Sequence, residues 1–397
     1  MSTAANRTVI VGASVGGVET AIALREEGYS GELILIDAQD AYPYNRPPLS
    51  KELLLGDLGE DDTRLLTPEL EDRLGIDLRL GTEAIELRMA DRRVITSSGE
   101  LSFDRLVIAT GAEALMPTAW SQLDGVTPLR TLADARRIRD ALSQGQQRVV
   151  VIGGGFIGCE VAASARQLGN TVILVEAADT LMSRALDPAL ARPIAQLHED
   201  EGVDIRLCEA VSTLAGDTRV TGVELSSGAV IDADFVVVGL GARPSTKWLE
   251  SSGLELDDGV CADAAMRVAD GVYAVGDVVR ISDGSTRSPR SEHWTSAREQ
   301  ARIVAANLLG AEDIQTYCRI PYVWSDQYGK RVQIAGAGRG EITRFVRQDE
   351  AGSYVAFAGT TTTVTGVVAV NNPRVFRTAR KLVESGASWS AVDTAQW

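Results

Sequence analysis

Residues 148–176 read RVVVIGGGFIGCEVAASARQLGNTVILVE. RVVVI is a short apolar run suited to a buried strand, the following segment has helical spacing up to Gly169, and TVILV is a second strand closed by Glu176. Gly153, Gly155 and Gly158 stand between the first strand and the helix in the order GxGxxG. The first glycine of that pattern makes a tight turn, the second admits a pyrophosphate to the backbone, and the third lets the helix lie close on the strand. The helix start adds free N–H groups and the positive end of a dipole. Glu176 completes the unit, because a carboxylate there accepts hydrogen bonds from ribose hydroxyls. It also repels a 2′-phosphate, and neither Ala177 nor Ala178 offsets that, so the pattern reads as NADH rather than NADPH.

A looser copy lies near the start of the chain. TVIVG (8–12) runs through ASVGG into VETAIALREEG, a helix ending at Gly28, and then into LILID, which ends at Asp37. Its glycines are Gly12, Gly16 and Gly17, with Ser14 where the second glycine of the pattern belongs. Asp37 supplies the ribose-binding acid. Two dinucleotide folds in one chain imply two dinucleotides, a flavin that stays and a nicotinamide that visits. The runs FDRLVIATGA (103–112), ADFVVVGLGARPST (233–246) and DGVYAVGDV (270–278) are further buried strands, each ending in a Gly-rich turn, the last at Gly276-Asp277.

Composition narrows the field. With 397 residues and 45% hydrophobic content the chain has enough material for two or three domains. No apolar stretch reaches the roughly 18 residues of a membrane span, and MSTAANRTVIVGAS lacks the build of a signal peptide, so cytoplasm is the expected location. Cys159, Cys208, Cys261 and Cys318 are too far apart for a CxxC pair or a zinc ribbon and read as structural. Two histidines, His198 and His293, supply a metal site or a Ser-His-Asp triad poorly. A formal charge of −16 argues against nonspecific nucleic-acid binding. The charge is uneven, since residues 321–397 carry nine cations and six acids, a net +3 against −19 for the rest.

Residues 43–51, PYNRPPLSK, form a segment stiffened by three prolines and carrying Arg46 and Lys51. Together with the first Gly turn, ATGA, GGGFIGCE, GLGARPST, YAVGDV, SEHW and PYVWSDQYG, this segment makes the chain resemble the two-dinucleotide flavoprotein reductases. Within them it is most similar to the FAD-containing ferredoxin reductases of bacterial cytochrome P450 and Rieske dioxygenase systems. The likeness covers nearly the whole chain.

The resemblance implies an α/β fold with two Rossmann-like domains and a small C-terminal α+β interface domain. Residues 1–113 and 243–319 would bind FAD, 114–242 would bind NADH, and 320–397 would form the interface domain. It further implies that Gly12, Ser14, Gly17, Asp37, Arg46, Ala109, Thr110, Gly111 and Asp277 hold FAD. Gly153, Gly155, Gly158, Glu176 and Gly241 would hold NADH. Lys51 and Glu160 would pair beside the flavin, Trp294 would lie by flavin and nicotinamide, and Glu292 and His293 would adjoin the cofactor. Gln327 or Trp324 of WSDQYG would approach the flavin ring. For His293 two roles stand open, a proton donor or a structural hydrogen-bonder.

The implied reaction passes hydride from NADH to FAD and then single electrons to a ferredoxin, expected to carry a [2Fe–2S] cluster. Arg374, Arg377 and Lys381, spaced i, i+3, i+7, would share one helix face as a docking patch for it. Three rivals keep the same fold: a monodehydroascorbate-reductase-like enzyme, an NADH oxidase, and an NADH-sensing flavoprotein resembling apoptosis-inducing factor.

Overall fold

The computed structural model describes residues 6–282, 290–318, 320–349 and 352–397. Residues 1–5 of the opening stretch, and Glu350 among the six C-terminal acids, lie outside them. The chain divides into two compact units.

The first unit takes in the described residues of Met1–Asn45, Glu60–Glu113 and Ala242–Arg319. Its sheet has six strands in the order Arg267–Ala269, Val272–Ala274, Arg105–Ile108, Arg7–Val11, Glu32–Ile36, Asp77–Arg79. All pairs are parallel except the first. The central strands are apolar on both faces, as a parallel sheet covered on both sides requires. The helices Val15–Glu26 and Trp294–Leu308 pack on each other beside this sheet. Gly28 follows the first of them at φ +87°.

The second unit contains Arg46–Gly59, Ala114–Gly241 and Ile320–Trp397. One sheet is wholly parallel, in the order Asp204–Arg206, Thr171–Val175, Arg148–Ile152, Phe235–Val238, Val126–Pro128. Its central pair repeats the geometry of the first unit. Arg148 to Ile152 face Thr171 to Val175 as Arg7 to Val11 face Glu32 to Ile36, and the N–H of Gly153 reaches Val175 O at 2.8 Å as that of Gly12 reaches Ile36 O at 2.8 Å.

Residues after 320 build an antiparallel sheet in the order Tyr322–Gln327, Lys330–Gly336, Val364–Val370, Tyr354–Gly359, Ile342–Gln348. The amphipathic helix Pro373–Glu384 packs against it through Phe376, Ala379 and Val383. Tyr354–Gly359 is buried at every position, so the alternation expected of an antiparallel strand is absent there. The reason is that both faces are covered. Val355 and Phe357 belong to the apolar cluster that also holds Phe376, Ala379 and Val383 of the helix Pro373–Glu384, while the opposite-facing Tyr354 donates from its hydroxyl to Leu190 O (2.5 Å) of the helix Pro188–Asp200. The proline segment forms a 3₁₀ turn over Pro47–Ser50, followed by the short helix Glu52–Leu55 with Lys51 at its N-cap. No helix among the described residues is long and apolar enough to cross a membrane.

Candidate functional site

Each Gly-rich turn lies at the carboxyl end of its sheet's central strand, where open α/β sheets bind ligands. Gly12 and Gly153 have φ of +108° and +102°, and a Cβ on either would lie 2.2 Å from Ala109 O or 2.3 Å from Gly239 O. A Cβ on Gly17 or Gly158 would lie 1.9 Å from the carbonyl oxygen of Gly12 or Gly153. These first and third positions are therefore demanded by the protein itself. The middle position is different, because nothing lies within 4 Å of a Cβ built on Gly155. Ser14 holds the same place in the other copy, and both residues are N-caps with ordinary extended backbone. The protein leaves that space open in front of a helix N-terminus, which fits a dinucleotide at each turn.

The two acids are fixed alike. Asp37 accepts hydrogen bonds from the N–H of Ala13 (2.7 Å) and of Gln39 (2.8 Å). Glu176 accepts from Gly154 (2.6 Å) and Ala178 (2.8 Å). Each carboxylate is thus held at the mouth of its turn with lone pairs left over for ribose hydroxyls.

In the first unit Ala109, Thr110 and Gly111 follow the strand adjoining Arg7–Val11. The Ala109 N–H donates to Val11 O (2.8 Å) and the Thr110 hydroxyl to Ser245 O (2.9 Å). Asp277 lies in a 3₁₀ turn next to Gly276, whose N–H donates to Gln300 Oε1 (2.7 Å). Gly12, Ser14, Gly17, Asp37, Ala109, Thr110, Gly111 and Asp277 are thereby placed around the carboxyl edge of one sheet. Trp294 donates from its indole N–H to Asn45 Oδ1 (3.0 Å), and Arg298, paired with Glu19 at 2.7 Å, covers its ring at 4.7 Å. His293 is the N-cap of the helix Trp294–Leu308, and burial pulls its imidazole down, opposed by Asp277. Glu292 is exposed and paired with Arg290 at 2.8 Å.

The second unit brings Lys51 and Glu160 together, 109 positions apart in the chain. Lys51 Nζ lies 3.3 Å from Glu160 Oε1, with side chains only 8% and 4% exposed. The Ser50 hydroxyl donates to Glu160 Oε2, and Ser325 Oγ donates to Oε1 at 2.7 Å. Burial pushes the Glu160 carboxyl up, opposed by Lys51 and the two hydroxyls. Ser164, one helical turn on, donates to Ser50 O (2.8 Å) and ties the proline segment to the helix Phe156–Gln167. Arg46 donates to Arg130 O within this unit. Gly241 follows the strand Phe235–Val238 beside Arg184.

Ser50, Ser325, His198 and Tyr328, which the sequence reading does not single out for this site, join Gln327 in the surroundings of Glu160. Gln327 is buried and hydrogen-bonded to His198 and Ser325, whereas Trp324, on the opposite face of its strand, stacks on Tyr322 with ring centroids 6.0 Å apart. Ser325 and Gln327 share a strand face, a period-two signal present in WSDQ. The four cysteines are all free thiols. Cys159 is fully buried, and burial drives its thiol upward, away from the nucleophilic thiolate.

Two dinucleotide turns and a buried ion pair are the equipment of an enzyme that moves electrons between nucleotide cofactors. The chain belongs to the pyridine nucleotide-disulphide oxidoreductase family, whose model matches residues 6–301, and residues 322–396 match a reductase C-terminal domain. It is 36% identical to rhodocoxin reductase of Rhodococcus erythropolis over 94% of this chain and 88% of that protein. It is 39% identical to the ferredoxin–NAD(+) reductase component of the anthranilate 1,2-dioxygenase system of Burkholderia cepacia, over 96% and 94%. Among solved structures, the covalent putidaredoxin reductase–putidaredoxin complex matches with a TM-score of 0.90 and 32% identity, over 96% of this chain and 93% of that one.

Proposed function

We propose that the chain is an FAD-containing, NADH-dependent ferredoxin reductase serving a P450 or Rieske oxygenase. The observation that carries the reading is the alignment, through both nucleotide folds and the C-terminal domain, with proteins named as ferredoxin–NAD(+) reductases of dioxygenase systems. When bound, FAD supplies the conversion between the two-electron chemistry of NADH and the one-electron chemistry of an iron–sulfur carrier. The division of labour follows the three-domain reading, with residues 1–113 and 243–319 for FAD, 114–242 for NADH and 320–397 for the partner. Gly12, Ser14, Gly17, Asp37, Arg46, Ala109, Thr110, Gly111 and Asp277 hold FAD. Gly153, Gly155, Gly158, Glu176 and Gly241 hold NADH. As the resemblance implies, Lys51 and Glu160 would hold a fixed pair of charges for the flavin chemistry, and Trp294, Glu292 and His293 would contribute to holding the cofactors. The neutral state favoured by burial suits His293 to a structural hydrogen bond rather than proton donation. The partner is a [2Fe–2S] ferredoxin, and the setting is the cytoplasm.

Glu176 sets the choice of nicotinamide. Glu176→Ala should raise KM for NADH about tenfold or more, as expected for losing a charged hydrogen-bond acceptor, with FAD content unchanged. Steady-state kinetics with NADH and NADPH check this, and an unaltered preference for NADH counts against the assignment.

Docking falls to the helix Pro373–Glu384. Arg374, Arg377 and Lys381 are exposed on the side opposite Phe376, Ala379 and Val383, whereas Arg380 pairs with Glu384 at 2.8 Å and covers Tyr322. Reversing charge at Arg374 and Arg377 should lower ferredoxin turnover about tenfold or more at low salt and leave ferricyanide reduction intact; equal loss of both defeats the patch. The function itself is tested by NADH-driven cytochrome c reduction with and without bacterial ferredoxins, with peroxide recorded in parallel. Strong ferredoxin stimulation with little peroxide supports the reductase. No stimulation, with peroxide release or a stable reduced complex, points to an oxidase or a sensor.

A further inference from the structure

Beyond Glu160, hydrogen bonds continue for four more side chains of the second unit. Ser325 Oγ lies 2.7 Å from Glu160 Oε1, Gln327 Nε2 lies 3.0 Å from Ser325 Oγ, His198 Nε2 lies 2.9 Å from Gln327 Oε1, and Tyr328 OH lies 3.1 Å from His198 Nδ1. Ser325, Gln327 and His198 are all buried.

The direction of every bond follows from one end. An ionised Glu160 only accepts, so Ser325 spends its single proton there and its oxygen must accept from the next residue. Gln327 therefore turns its NH₂ to Ser325 and its carbonyl to His198. That carbonyl only accepts, so His198 carries its proton on Nε2. Nδ1 is left as an acceptor for the Tyr328 hydroxyl.

Tyr328 supplies an independent observation. With Gly329 it makes the two-residue turn joining Tyr322–Gln327 to Lys330–Gly336, at φ +52° and +70°. Such turns favour Asn, Asp or Gly at their first central position, and a bulky residue there is strained. The Tyr328 ring packs edge-on against His198 with centroids 5.2 Å apart, so the strained residue is held where its hydroxyl meets the imidazole.

We propose that Tyr328, His198, Gln327 and Ser325 form one directional hydrogen-bond chain that ends on Glu160 and fixes it as the carboxylate partner of Lys51. His198 is thereby a positioning residue for the hydride-transfer site. The chain is not a proton conduit, because the Gln327 amide does not pass protons. It acts by orientation and by the mutual polarisation of bonds in series within a buried setting. The proposal rests on the reading of Lys51 and Glu160 as that site's charged pair.

The test uses FAD-loaded protein labelled with ¹⁵N-histidine. Only His198 and His293 contribute signals, and His198→Gln assigns them. At pH 7 His198 should show a protonated Nε2 and a bare Nδ1. Tyr328→Phe and His198→Phe should each lower kcat for NADH-driven ferricyanide reduction about tenfold, the worth of one hydrogen bond, with KM for NADH unchanged. His198→Gln keeps a donor for Gln327 and should restore most of the loss. A protonated Nδ1 on His198 overturns the proposal, as do wild-type kcat values for both phenylalanine variants. The site reading fails separately, if Lys51→Met leaves kcat unchanged. Tyr328→Phe keeps the ring, and the tautomer is read on the wild-type fold, so misfolding of His198→Phe leaves both arms intact.

Discussion

Lys51→Met should destabilise the FAD-loaded protein by about 3–5 kcal/mol, the usual cost of stripping one partner from a buried ion pair. The loss has a pH signature. Burial already pushes the Glu160 carboxyl above its ordinary 4.5, and without Lys51 it rises further. A carboxyl whose folded value is raised binds more protons folded than unfolded. The deficit is therefore smallest below pH 4.5 and grows as pH rises above it. Thermal unfolding across that range checks the slope. Lys51→Met with Glu160→Leu removes both charges and should recover most of the stability, since apolar replacement of a buried pair is often neutral. NADH-driven ferricyanide reduction should remain low in both variants. A stable double variant with wild-type turnover would show the pair to be packing alone.

The second large effect belongs to His198. Burial lowers its imidazole from 6.5 to about 4, opposed only by its bond to Gln327. A histidine buried neutral binds fewer protons folded than unfolded between those values. Its contribution is unchanged above pH 6.5, falls as pH drops, and levels off near pH 4. The full span is about 3 kcal/mol. Urea unfolding of wild type and His198→Gln across that range should show the stability of wild type relative to the variant falling steadily as pH drops; a difference independent of pH would sink the assignment.

The two nucleotide folds were legible because each is local. Some thirty residues carry strand, turn, helix, strand and acid in order, and the third glycine of each is dictated by a contact within that span, while the first meets a carbonyl of a strand elsewhere in the chain. The Lys51–Glu160 pair was legible only through resemblance, because no periodicity connects a proline segment with a helix more than a hundred residues on. The chain beyond it was invisible for a related reason. His198 reads only as one of two scattered histidines, Gln327 is directed by the resemblance toward the flavin ring and not toward His198, and Tyr328-Gly329 lacks the asparagine or aspartate that marks such a turn. Only the folded unit brings them within hydrogen-bonding distance. The strand Tyr354–Gly359 shows the same limit, since its uniform burial depends on two helices that its own residues do not announce.

The open space at Gly155 has a further consequence. At Gly153 and Gly158 a side chain collides with backbone, so the turn itself is lost. Residue 155 meets no such collision, and Ser14 already occupies its counterpart without distorting the turn. At that position folding places no demand on the side chain, so under the proposed assignment of Gly155 to NADH, affinity for the nucleotide would be adjustable there without rebuilding the scaffold.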